Sequence, residues 1–163
     1  MRAKARDRET NLLLHLLDEA FDRKAWHGPN LLGSVRRLSP DEAARRPASG
    51  RHSVQELVVH CAYWKYAVRR KLTGEGRGSF PLKGSNWFAR EGRAALAAWP
   101  ADRKLLREEH RKLRAAVETF PASRLSARAP GVSNSFRRLI AGAAAHDVYH
   151  AGQIRLILRL AVG

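Results

Sequence analysis

Two histidines four residues apart, His146 and His150, lie in the stretch AGAAAHDVYHAGQIRLILRL near the C-terminus. With successive residues about 100° apart, Leu139, Ala143, His146, His150, Gln153, Ile157 and Leu160 share one helical face, in alternating steps of four and three. Such a face packs against a core, yet three of its members are polar, and a buried polar group without a partner costs a few kcal/mol. Side chains at i and i+4 have Cβ atoms ~5–6 Å apart, so both imidazoles can reach one point. The chemistry that this pattern serves is binding of a divalent metal of the Zn, Ni, Fe, Mn or Co type.

A third ligand is available in SVQELVVHCAYWKYAV, where His60 borders an apolar arc of Leu57, Cys61, Trp64 and Val68. Three protein ligands leave a position for water or substrate, the pattern of a catalytic rather than a structural site. Gln153 and Tyr63 are the candidates for positioning substrate or bonding to a bound nucleophile. Asp147 follows His146 directly and is expected to point off the face, toward a surface arginine. Cys61 adjoins His60, but helical neighbours point about 100° apart, which argues against a Cys–His nucleophile pair. His15 and His110 are expected at the surface, His52 in a cap loop and His27 in solvent after the first helix. The chain has no GxSxG, P-loop, GxGxxG or HExxH motif.

Four long helical patterns must carry these residues. The first runs from about Thr10 to Trp26, with Leu12, Leu13, Leu16, Leu17, Ala20 and Phe21 inward, and Gly28-Pro29 breaks it. Short helical pieces follow at Leu31–Leu38 and after Ser39-Pro40-Asp41-Glu42, a cap with a first-turn proline. Ser53-Val54-Gln55-Glu56 is a capping box that opens the second long helix, which reaches Leu72 and stops at Gly74. The connection from Gly74 to Pro100 contains FPLKGSNWF and is long enough to cover a site. The third helix is expected from Ala101 to Phe120 and the fourth from Ser135 to Leu160. This order predicts an all-α chain, a four-helix bundle in one domain spanning residues 1–163.

Bulk composition narrows the function classes. The chain has 163 residues, 44% of them hydrophobic, enough for a real core. No apolar run approaches the ~20 residues of a membrane span. A single cysteine excludes an intramolecular disulfide and suits a cytoplasmic setting. The net charge of +16, from 31 basic and 15 acidic residues, raises the question of a polyanion partner. The arginines are scattered and do not interleave with aromatics, which argues against specific nucleic-acid binding.

LVVHCAYWKYAVRRKLTG and AAHDVYHAGQIRLILRL together resemble the two signature helices of the DinB/YfiT-like superfamily of small metalloproteins, and the run from AWHGPNLLG to the second helix is similar as well. The resemblance implies a four-helix bundle with an up-down-down-up course and a homodimer. It also implies a divalent transition metal (Zn, Ni, Fe or Mn) held by His60, His146 and His150. Characterised members include transferases and an isomerase that use a low-molecular-weight thiol such as mycothiol or bacillithiol. By analogy it implies a metal-dependent thiol transferase or hydrolase acting on a small electrophilic substrate. Two alternatives stand beside it: a non-catalytic, stress-related metal-binding protein, and a basic nucleic-acid-associated protein whose histidines are structural.

Overall fold

The computed structural model describes residues 7–160. Six α-helices follow in order: α1 (Arg8–Phe21), α2 (Leu31–Val35), α3 (Pro40–Ala43), α4 (Val54–Thr73), α5 (Gly92–Thr119) and α6 (Phe136–Leu160). A short 3-10 turn at Ala122–Arg124 lies between the last two. Among the described residues no strand forms; one isolated antiparallel bridge joins Arg128 and Ser135. The four long helices pack in a ring, α4 against α5 and α6, and α1 against the same two helices.

Local chemistry sets most helix ends. Ser39 and Ser53 each accept from the backbone N–H three residues on, and Glu42 and Glu56 reach back to complete the two capping boxes. Gly74 closes α4 at φ 76°, a left-handed conformation that glycine adopts without a Cβ penalty. Two expected boundaries differ. α1 ends at Phe21, the last buried residue before Leu31; Trp26 is fully exposed. Its inward arc also includes Leu14, while Leu12 and Leu16 face outward. α5 begins at Gly92 and carries Pro100 in its interior, where one backbone hydrogen bond is lost. Tertiary packing outweighs that loss. Trp99 is buried and donates its indole N–H to the Leu38 carbonyl, and buried Gln55 donates to the Ala95 carbonyl and to Asp102.

The apolar core has two parts. One gathers Leu13, Leu17, Leu72, Val117, Phe136 and Ile140; the other gathers Leu31, Val58, Trp99, Leu106, Ile154 and Ile157. Between them in sequence on every long helix but α1 stands a buried polar group: Lys65 on α4, Glu109 and His110 on α5, Asp147 on α6. Lys65 Nζ donates to Asp147 Oδ2 and lies 5.1 Å from the Phe21 ring centroid. His110 stacks on the same Phe21 ring at 3.7 Å. Burial, with Lys65 and Arg114 nearby, holds the His110 pKa down to about 2, so the ring stays neutral. Glu109 meets Lys112 at 2.8 Å and Arg69 at 3.5 Å.

Two sequence expectations are corrected by this layer. Asp147 points into the core rather than to a surface arginine, and His110 is buried rather than exposed. α6 buries Ile140, Ala144, Asp147, Ala151 and Ile154 together with Ala143, His150 and Ile157 of the anticipated face. Leu139 is only half-buried and Leu160 is exposed. The histidines stand at the edge of the packed face.

Lys65→Met should leave the Asp147 carboxylate buried without its partner, at a cost of about 3–5 kcal/mol in urea unfolding. Adding Asp147→Leu to the same chain should restore most of that loss; a double variant as unstable as the single one would contradict the pairing.

Candidate metal centre

α4 and α6 bring three imidazoles to one point. His60 Nε2 lies 3.1 Å from His146 Nε2, which lies 3.0 Å from His150 Nε2. The opposite ring nitrogens of the two outer histidines are engaged elsewhere. His60 Nδ1 is 2.8 Å from the Asn86 carbonyl oxygen, and His150 Nδ1 is 2.7 Å from Gln153 Oε1. Both oxygens can only accept, so each Nδ1 carries the proton and each Nε2 turns a lone pair toward His146. A single proton on His146 Nε2 can serve only one of those lone pairs. A divalent cation among the three nitrogens serves all of them, and Zn–N bonds of ~2.0–2.1 Å place tetrahedral ligands ~3.3 Å apart, close to the spacings here. The donor set therefore fits a metal of the kind that imidazole binds.

Electrostatics agree with that reading. Burial lowers the pKa of all three histidines. For His146 burial and then the neighbouring imidazoles bring it to about 3. For His150 burial outweighs the opposing effect of the hydrogen bond it donates to Gln153 Oε1 and brings it to about 4. The three rings are thus uncharged at neutral pH, as metal binding requires.

Residues beyond the triad fix the rings. Gln153 Nε2 donates to Tyr149 Oη at 3.0 Å, which leaves its Oε1 facing His150. Asn86 sits at φ 65°, a left-handed conformation that asparagine tolerates better than most residues. There its carbonyl meets His60, and its side-chain oxygen accepts from Trp64 Nε1 at 2.9 Å. The next residue, Trp87, lies flat between two rings, 3.8 Å from His60 and 3.5 Å from His52. Glu56 anchors this segment, since Oε1 accepts from the Arg90 backbone N–H and both carboxylate oxygens take the Arg46 guanidinium at 2.8 Å. Burial would raise the Glu56 pKa, but these bonds and the one from Ser53 outweigh it and hold the carboxyl at about 2.

A pocket of about 650 Å³ opens over the triad, between the end of α6, the start of α4 and the Asn86–Trp87 segment. Gln153 lines it. Tyr63 does not: its ring packs on Phe80 and Phe88 at 5.3 and 5.5 Å and borders a separate cavity. His52 borders the pocket, whereas His27 and His15 are exposed. Cys61 is buried, and burial together with the Asp147 carboxylate pushes its thiol well above the ordinary range, so it is no nucleophile. Sequence reasoning missed Asn86 and Trp87. The one available signal was an asparagine beside a tryptophan in a long glycine-bounded connection.

Among the described residues, a strand-free helical fold with three imidazoles aimed at one point defines a helical protein with a potential histidine metal site. More particularly, the chain belongs to the DinB superfamily, a metal-binding family whose model matches residues 25–154 and so takes in all three histidines. No curated protein and no solved structure matches it. Among the described residues no helix is long and apolar enough to cross a membrane.

Gln153→Ala should weaken Zn(II) or Co(II) binding roughly 10- to 100-fold by freeing the His150 tautomer, with helicity unchanged. Asn86→Gly, which keeps the backbone conformation, should weaken it less than Asn86→Val; competition titration with a chromophoric chelator ranks the three. The pH dependence has a definite sign. The folded pKa values of His146 and His150 lie below the ordinary 6.5, so the metal-free unfolded chain takes up protons first. Stability from these rings is complete above about 6.5 and should fall as pH drops toward about 4, as urea midpoints across that window would show.

Proposed function

We propose that the protein is a divalent-metal-dependent enzyme that uses His60, His146 and His150 as ligands and acts on a small electrophilic molecule. The observation that carries this reading is the convergence of three neutral Nε2 atoms beneath an open pocket, which leaves room for a non-protein ligand above the triad. A bound divalent metal would lower the pKa of a coordinated water or thiol and so supply a nucleophile at neutral pH. The chain's own residues hold the rings in one tautomer through Asn86 and Gln153. Trp64, Trp87 and Leu156 wall the pocket against bulk water. Tyr149, whose hydroxyl accepts from Gln153, keeps a proton to donate at the pocket wall.

A low-molecular-weight thiol is the proposed co-substrate, which makes the reaction a thiol transfer to the electrophile; with water in its place the reaction is a hydrolysis. The reading further takes the four long helices as an up-down-down-up bundle, one domain over residues 1–163, in a cytoplasmic homodimer. The pocket favours catalysis over a purely metal-storing role, because a storage site gains nothing from a roomy apolar chamber.

Elemental analysis of untagged, dialysed protein should find near-stoichiometric divalent metal in the wild type and none in His60→Ala or His146→Ala, with helicity kept in both. Full occupancy in His60→Ala would overturn the ligand set. Titrating a small thiol into the Co(II)-loaded protein should then shift its visible spectrum; an unchanged spectrum at millimolar thiol would remove the thiol from the proposal.

A further inference from the structure

The walls of the pocket define what it accepts. Its lining is mainly apolar: Leu57 and Ile157 form buried floor, while Trp64, Tyr149, Leu156 and Leu160 are exposed large side chains around the opening. Exposed apolar groups gathered on one concavity mark a binding surface more often than chance. The polar wall atoms are largely engaged with one another. Trp64 Nε1 is bonded to Asn86 Oδ1, Gln153 Nε2 to Tyr149 Oη, Gln153 Oε1 to His150 and the Asn86 carbonyl to His60. A hydroxyl-rich ligand would displace water there and find few partners in return.

Charge is distributed as unevenly. Among the described residues no Asp or Glu lines the pocket. Among the described residues the one permanent cation in the lining is Arg51, exposed at the edge, and its guanidinium has no hydrogen bond or ion pair with any of them. Two carboxylates border the neighbouring cavity that Arg51 also lines: Glu56, already taken up by Arg46 and two backbone N–H groups, and exposed Glu91, which faces Arg46 at 3.6 Å. Arg51 is thus an unengaged fork donor beside an apolar chamber without negative charge, a combination suited to a carboxylate-type group.

We propose that the substrate of this site is a small molecule with an apolar, preferably aromatic, body and one anionic head, the body lying along Trp64, Tyr149 and Leu156 and the head meeting Arg51. The proposal rests on the metal-enzyme reading only for calling the ligand a substrate; the binding itself depends on Arg51 and the apolar wall.

Calorimetry with 2-naphthoate and its neutral counterpart 2-naphthylmethanol, on zinc-loaded and metal-free protein, separates the parts. Naphthoate should bind both forms, and more tightly than the alcohol. Arg51→Gln should weaken naphthoate about 5-fold and leave the alcohol unchanged, the size expected of an exposed charge-assisted contact. Leu156→Asp should weaken both ligands by about 10-fold or more; both variants change exposed side chains and should fold. Equal affinity for acid and alcohol, or an Arg51→Gln variant that binds naphthoate normally, overturns the anionic head. Failure of both ligands to bind either form overturns the apolar body. If zinc is not taken up while naphthoate still binds in an Arg51-dependent way, the metal reading falls and this one stands.

Discussion

The contact on which the rest of the structure depends is the buried pair of Lys65 and Asp147. Two charges removed from water are tolerated only in one alignment, because a sliding or rotation of either helix strands both. The pair therefore sets the register of α4 against α6. His60 stands five residues before Lys65, and His146 stands immediately before Asp147, so the alignment that satisfies the ion pair also brings His60 and His146 to 3.1 Å. Burial lifts the Asp147 carboxyl to about 6 even against the pull of Lys65, which measures how dry the layer is. An apolar core alone would permit several near-equivalent packings of α4 on α6; the ion pair selects among them.

The second constraint lies outside the helices. The residues between Gly74 and Gly92 cross back over the start of α4 and deliver Asn86 and Trp87 to the face of His60. Glu56 ties that crossing down while it caps the helix that carries His60. One carboxylate thus joins helix initiation to the outer wall of the metal centre. The site is assembled from two helices and one loop, and the loop supplies the partner that decides which nitrogen of His60 is protonated.

The three imidazoles were legible in the sequence because their signal is local: an i, i+4 pair on α6, and a histidine at the margin of an apolar arc on α4. The caps of α3 and α4 were legible for the same reason, each being written in four consecutive residues. Three features were not. Asp147 and Lys65 look like surface charges one at a time, and only their tertiary encounter makes them core residues. Pro100 reads as a helix start, yet Trp99 and Gln55 hold two further turns ahead of it. Tyr63 shares a side of α4 with His60 on a helical projection, but a neighbouring aromatic group of Phe80 and Phe88 claims its ring. In each case a long-range contact, invisible to periodicity, outweighed the local pattern.

Trp87 lies parallel to His60 at 3.8 Å, and to His52 on its other face at 3.5 Å. An indole face is electron-rich and senses positive charge placed on a ring stacked against it. Any event that alters the charge carried by the His60 imidazole, whether uptake of a proton or donation of its lone pair to a cation, is thereby communicated to a chromophore in van der Waals contact. The protein carries an optical gauge of its own centre, mounted on the loop and needing no added label.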